Sequence, residues 1–276
     1  MTVKKYLSKI ESFKGRKIVL VGGTSGIGLS LLSQLKEKES SVILLARNVE
    51  KANSLKSIYP IVDVIEYDQS SFKSIEHAIS ELVSRHNDFD TIVMNVGTLG
   101  EKQVLDNGYP ATIGVNYIGA RHFIDTISNE LTNKVRFVVQ GSVAAGCNLK
   151  KPIDITNPKL GTFRQYNVSK AYLEAYIYKL YNENKYSNLE YIITEPGVTS
   201  TNITRHFNKL VRVLGKYFLL AFFHHSNKAS LCLLTGISDK SHNGDYIVPR
   251  GLFSLSGFPK IKSLPQKRRR LFLFKE

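Results

Sequence analysis

Two cysteines, Cys147 and Cys232, are all that the 276 residues contain. So few thiols cannot build a disulfide framework or a cysteine-rich zinc site, and they suit a reducing compartment; both are expected to be free. Long apolar runs are scarce as well. The start MTVKKYLSKIESFKGRK lacks the apolar core of about 7–15 residues that export needs, so a cytoplasmic location is expected. The most apolar later stretch, VRVLGKYFLLAFFHH, is broken by Arg212 and Lys216 and falls short of the ~20 residues of a membrane helix. No Pro/Ser/Gly-rich linker and no internal repeat divides the chain. Acidic residues are the scarce charge: 23 Asp and Glu face 38 Lys and Arg, for a net +15. Such a balance suits nucleic acid, an anionic membrane or an anionic ligand. The positive residues are scattered except in the tail PQKRRRLFLFKE, with no helix-turn-helix or basic–aromatic repeat, so nucleic-acid binding is not expected.

What is present is an ordinary globular composition, 42% hydrophobic and 22% charged, in which apolar runs alternate with helical periodicity. Strands are expected at KIVLVG, SVILLAR, IVDVIEYD, DTIVMNVG, KVRFVVQGS, LEYIITEPG and GDYIVP. Helical spacing lies between them, for example at Leu29, Leu32 and Leu35, and at Phe72, Ile75, Ile79, Leu82 and Val83. The pattern predicts a single α/β domain over residues 17–250, a doubly wound seven-stranded parallel sheet flanked by helices. An N-terminal extension, 1–16, precedes it and a basic tail, 251–276, follows. Ligands of such sheets bind beyond the carboxyl ends of the strands, so the loops there are the place to look.

The first such loop is GGTSGIG. Its glycines at 22, 26 and 28 permit a tight turn, close approach of the backbone to a pyrophosphate, and close packing of helix on strand. The following helix start supplies N–H groups and a positive dipole end. Thr24 and Ser25 add hydroxyls, and Ile27 begins the helix. The second strand ends in ILLARN, with Arg47 where an acidic residue would bind a ribose 2′-hydroxyl. A guanidinium there fits a 2′-phosphate, which favours NADP(H) over NAD(H), against the plainer reading of a surface arginine.

QYNVSKAYLEAY places Tyr166 and Lys170 four residues apart, hence on one helix face. A cation ~4 Å from a phenol at an effective dielectric of ~20 is worth about 4 kcal/mol, about three pKa units, so Lys170 is expected to activate Tyr166. Ser142, at the end of the fifth strand, can donate to a carbonyl or developing alkoxide. Asn116 lies in an otherwise helical run, and Asn95 and Gly97 end the fourth strand.

The glycine spacing differs from the standard Rossmann fingerprint and resembles the TGxxxGIG turn of the short-chain dehydrogenase/reductases. The resemblance runs from residue 17 to about 249 and implies a Rossmann fold. Asn116, Ser142, Tyr166 and Lys170 match that family's catalytic tetrad. The resemblance implies that NADPH delivers hydride to a carbonyl while Tyr166 protonates the oxygen and Ser142 hydrogen-bonds it. Lys170 lowers the Tyr166 pKa and holds the nicotinamide ribose, and Asn116 holds a water leading to solvent. Asp68 and Gln69 flank the adenine, although Asp68 also suits a helix N-cap. Pro196, Gly197, Val198 and Thr199 cover the nicotinamide, unless EPGVTSTNI is a plain turn. Departures from the family pattern are Val21 for Thr, Met94 and Val96 in the NNAG-like loop, and Gly141 for the commoner Ser. The long interval from Ser142 to Tyr166 and the run FRQYNVSK resemble the retinol-dehydrogenase-like and protochlorophyllide-reductase-like branches, the former closest in pattern, which implies an apolar substrate. The rival reading is a catalytically silent NADP(H)-binding sensor or scaffold.

Residues 202–226 are expected to form a substrate lid, in which Phe218, Leu219 and Phe222 serve either helix core or substrate contact. His224 and His225 are read as a solvated pair and Cys147 as a small buried thiol, with no metal site. The tail QKRRRLFLFKE joins cations to apolar residues, a combination suited to peripheral contact with an anionic membrane, against a frayed terminus. The resemblance also implies a homo-oligomer, to which no single residue testifies.

Overall fold

A computed structural model describes residues 1–101, 103–146, 153–199 and 225–264. Its centre is one eight-stranded sheet in the order β3-β2-β1-β4-β5-β6-β7-β8. The strands are β1 Lys17–Val21, β2 Ser41–Ala46, β3 Ile61–Glu66, β4 Thr91–Met94, β5 Val135–Gln140, β6 Leu189–Thr194, β7 Tyr246–Pro249 and β8 Pro259–Lys262. Strands β1 to β7 pair in parallel and coincide with the seven segments expected. β8 is additional and antiparallel to β7, and it falls in the segment expected to be tail. Its signal is faint because it is four residues long, begins with proline and turns one residue inward and three outward, as a lysine-bearing edge strand does.

Helices cover both faces, as a parallel sheet requires. They are α1 Val3–Leu7, α2 Gly26–Glu37, α3 Val49–Ser54, α4 Phe72–Arg85, α5 Ala111–Ile113, α6 Ala120–Ser128, α7 Thr162–Glu183 and α8 Ser226–Ile237. Alternation along the strands divides the core into two layers. Val19, Val21, Ile43 and Leu45 pack with residues of α4, α6 and α7 on one face. Ile18, Leu20, Val42 and Leu44 pack with α2 and α8 on the other. Each such fully buried aliphatic side chain contributes about 1.5–3 kcal/mol. The N-terminal segment joins the second layer: Leu7, Ile10 and Phe13 are buried there, and the Tyr6 hydroxyl lies 2.8 Å from Thr235 Oγ1.

Strand order reverses beside β1, whose neighbours are β2 and β4. Right-handed crossovers from that switch point bring the loops after β1, β2, β4, β5 and β6 to one edge. Cys232 is a free, buried thiol whose pKa is pushed up by burial. Among the described residues no helix is long and apolar enough to cross a membrane, and no His/Cys/Asp/Glu cluster could hold a metal ion.

Candidate active site

The loop after β1 has the conformation its glycines anticipate. Gly22 and Gly26 adopt φ +87° and +55°, values that side-chain-bearing residues resist. A Cβ on Gly28 would overlap the Gly22 carbonyl oxygen and lie 2.7 Å from Asn95 Nδ2. That amide donates to Gly22 O at 2.6 Å, joining the loops after β1 and β4, while Asn95 Oδ1 is buried with no partner among the described residues. Val96, the bulkier replacement for Ala, fills space beside Gly22: its Cγ2 lies 2.7 Å from where a Gly22 Cβ would be. Ser25 precedes α2 without a side-chain cap hydrogen bond, and the first turn carries no acidic residue. Thr24 is half-buried, Ser25 exposed and Ile27 buried. An uncapped helix start above a side-chain-poor cradle fits a dinucleotide pyrophosphate. Arg47 is exposed one residue past β2, on the same edge.

The two residues expected beside the adenine, Asp68 and Gln69, both have side-chain hydrogen bonds within the fold. Gln69 is buried and committed to the fold: its Oε1 accepts from the Tyr67 hydroxyl at 3.1 Å and its Nε2 donates to Val115 O at 2.6 Å. Its side chain therefore braces the segment that carries Asn116. Asp68 is half-buried and caps a local turn, accepting from Ser70 N at 2.9 Å and Ser70 Oγ at 2.7 Å. The N-cap of α4 is Ser71.

Four expected side chains converge below the edge. The Tyr166 hydroxyl lies 3.4 Å from Ser142 Oγ. Lys170, 3% exposed, donates from Nζ to Gln140 O at 2.9 Å. A Cβ on Gly97 would stand 3.4 Å from Lys170 Nζ and 3.6 Å from Asn116 Oδ1, ordinary contact distances that place Gly97 beside both side chains. Asn116 sits in a π-helical insert, Gly114–Gly119, between α5 and α6. One-turn π segments recur at functional sites because the widened turn redirects a side chain. Its amide binds the backbone of Thr98 both ways, accepting at 2.7 Å and donating at 2.9 Å, and also donates to Ser169 Oγ at 3.1 Å. It thereby fixes the loop after β4.

Electrostatics depart from expectation. Burial, above all, raises the Tyr166 pKa, and the charges of Glu174 and Glu195 raise it further; only the Ser142 hydrogen bond opposes them. Lys170 is itself pushed down to about 8 by burial, which outweighs the opposing pull of Glu174. The anticipated depression of Tyr166 by Lys170 is thus reversed in the protein alone, because desolvation penalises both charged forms.

Gly197, at φ +74°, and Val198, whose N–H donates to Leu255 O at 2.8 Å, form the turn after β6 together with Pro196 and Thr199. His225 is the exposed N-cap residue of α8. His224, Cys147, Phe218, Leu219, Phe222 and the tail residues 266–276 lie outside the described residues, as does nearly all of 202–226. Sequence reasoning missed Glu174. It continues the ladder of Tyr166 and Lys170 by another four residues, and that spacing was its one available signal.

Comparison with known proteins agrees with this geometry. Residues 16–211 match the family model for short chain dehydrogenases. Short-chain dehydrogenase TIC 32 B of Brassica napus is 26% identical over 212 residues, 68% of this chain and 65% of that protein. Human retinol dehydrogenase 13 is 22% identical over 208 residues, 70% of this chain and 61% of that one. The alignments thus span somewhat less than two thirds of these relatives. Among solved structures, an uncharacterized protein of Mycobacterium paratuberculosis superposes with TM-score 0.72 at 17% identity, covering 97% of this chain and 92% of its own. A gluconate 5-dehydrogenase of Burkholderia cenocepacia, in complex with NADP and tartrate, superposes with TM-score 0.64 at 17% identity over 82% of this chain and 91% of its own. With the glycine cradle at the switch point and the family model matching most of the chain, this protein belongs to the short-chain dehydrogenase family.

Proposed function

We propose that this chain is an NADP(H)-dependent oxidoreductase that interconverts a carbonyl and a primary or secondary alcohol on an apolar substrate. The observation that carries the reading is the approach of the Tyr166 hydroxyl to Ser142 Oγ, 3.4 Å, beside a buried Lys170 on the ligand-binding edge. The bound nicotinamide supplies or accepts the hydride. Gly22, Thr24, Ser25, Gly26, Ile27 and Gly28 would hold the pyrophosphate, and Arg47 would pair with the 2′-phosphate. Gly97 and Lys170 would hold the nicotinamide ribose, and Pro196, Gly197, Val198 and Thr199 would hold the nicotinamide.

Ser142 Oγ donates to the substrate oxygen and orients it toward Tyr166. In reduction, the Tyr166 hydroxyl gives its proton to that oxygen as negative charge develops there. Its raised pKa keeps it protonated and ready to donate at neutral pH. Lys170, whose pKa burial pushes down to about 8, returns the proton to the Tyr166 oxygen. Alcohol oxidation is the reverse path. Support for an apolar substrate comes from the aromatic run in 202–226 and from the relatives named retinol dehydrogenase 13, since retinol is an apolar alcohol.

The test follows NADPH, and separately NADH, by absorbance with aldehydes, ketones, retinoids and keto-steroids. Turnover that vanishes in Tyr166→Phe while NADPH still binds is the expected result. Unchanged turnover in that variant removes Tyr166 from the mechanism. NADPH binding with no turnover of any compound supports the sensor reading instead.

A further inference from the structure

Helix α7 carries a third inward-facing ionisable residue after Tyr166 and Lys170. Glu174 stands one turn beyond Lys170 and is 1% exposed, an unusual place for a carboxylate. Its Oε1 accepts a hydrogen bond from the backbone N–H of Ser142 at 3.0 Å. The same oxygen occupies the space beside Gly141: a Cβ on that residue would overlap Oε1 and lie 2.9 Å from Cδ. Gly141 has no positive φ, so its backbone would accept alanine and only the carboxylate demands glycine. The replacement of the usual serine before Ser142 and the buried glutamate on α7 are therefore two halves of one contact.

Lys170 Nζ already ties Gln140 O, at the end of β5, to α7, and the backbone bonds that follow show what Glu174 adds at Ser142 itself. Gly141 N donates to Thr194 O at 2.8 Å, tying the end of β5 to β6, and Ala144 N donates to Ser142 Oγ at 3.2 Å. Neither bond refers Ser142 to α7, the helix that bears the proton donor. The bond to Glu174 does, because Tyr166, Lys170 and Glu174 share one rigid element.

We propose that Glu174 is a positioning residue: its carboxylate holds the Ser142 backbone against α7, so that Ser142 Oγ and the Tyr166 hydroxyl keep a fixed relation, and Gly141 is glycine to admit it. The inference rests on the oxidoreductase reading for its catalytic consequence, and on geometry alone for the contact. The charge of Glu174 also bears on both neighbours, raising Tyr166 together with Glu195 and raising Lys170.

The full-length chain with Glu174→Ala, Glu174→Gln, Gly141→Ala and the double variant Gly141→Ala/Glu174→Ala tests this, using whichever carbonyl substrate the NADPH assay identifies. Glu174→Ala lowers kcat about 10- to 100-fold with the KM for NADPH nearly unchanged, the scale of a misplaced reacting group. Glu174→Gln keeps the acceptor and most of kcat, but its pH–rate profile moves toward lower pH, because a charge favouring protonation of Tyr166 and Lys170 is gone. Recovery of kcat in Glu174→Gln, with only the profile displaced, separates positioning through the accepted hydrogen bond from the effect of the charge. Gly141→Ala costs about tenfold alone and almost nothing further in the Glu174→Ala background, the non-additivity expected of touching residues. The same cycle read as Tm reports the contact without turnover. Wild-type kcat in Glu174→Ala, an unmoved profile in Glu174→Gln, or independent effects in the cycle overturns the proposal. A coupled Tm cycle in a protein that turns over no carbonyl supports the contact and overturns the oxidoreductase reading.

Discussion

Replacing Lys170 with methionine removes a buried charge while keeping a side chain of similar length, and the cost of that charge follows from its pKa. In the fold it is pushed from an ordinary 10.5 to about 8, chiefly by burial. The drop is worth about 3 kcal/mol, at about 1.4 kcal/mol for each tenfold change in the equilibrium. Below pH 8 the lysine is charged in both folded and unfolded chains, and the fold carries the whole penalty. Between pH 8 and 10.5 the unfolded chain binds the extra proton, so stability rises with pH; above 10.5 both states are neutral and the penalty is gone. Comparing wild type with Lys170→Met cancels every other titrating group. In urea denaturation of the cofactor-free protein, the wild type is expected to gain on the variant by about 2–3 kcal/mol between pH 7 and pH 10. At an m-value of ~2–3 kcal/mol/M that is a relative shift of about 1 M in midpoint. The variant is expected to turn over no substrate, a stability–activity trade-off. A stability difference that stays flat across this range would refute the argument, since it would mean that the Lys170 charge is solvated in the folded protein.

Arg47→Asp is expected to weaken NADPH relative to NADH by about 10- to 100-fold, the worth of a charge-assisted bond of ~1.5–3 kcal/mol, read from the two dissociation constants. An unaltered ratio removes Arg47 from the 2′-phosphate site. Gly28→Ala forces a methyl group into the Gly22 carbonyl, so overpacking of ~1–3 kcal/mol should lower Tm by several degrees and abolish cofactor binding; wild-type Tm and affinity would contradict the close approach. If the basic tail docks on lipid, deleting 266–276 reduces sedimentation with anionic vesicles, at ~1 kcal/mol per cation removed. Equal sedimentation of the two proteins refutes it.

Short-range patterns carried most of the fold. Apolar runs of four to six residues separated by helical periodicity can satisfy their backbones and bury both faces only as a helix-covered parallel sheet, which is why β1 to β7 were legible. The glycine cradle was legible for a related reason, since missing side chains over one turn state what the backbone must do there. The spacing of Tyr166 and Lys170 likewise announced a shared helix face. Tertiary structure alone decided the rest. It turned Gln69 inward to brace the π-helical segment, because its amide found partners in Tyr67 and Val115. It added β8, whose exposed edge leaves no alternating apolar signal. It reversed the expected direction for Tyr166, because desolvation depends on everything packed around a group, whereas sequence spacing reports only its neighbours along one helix. Gly141 and Glu174 make the same point: 33 residues apart in the chain, they meet because β5 and α7 pack together, and neither alone discloses the other.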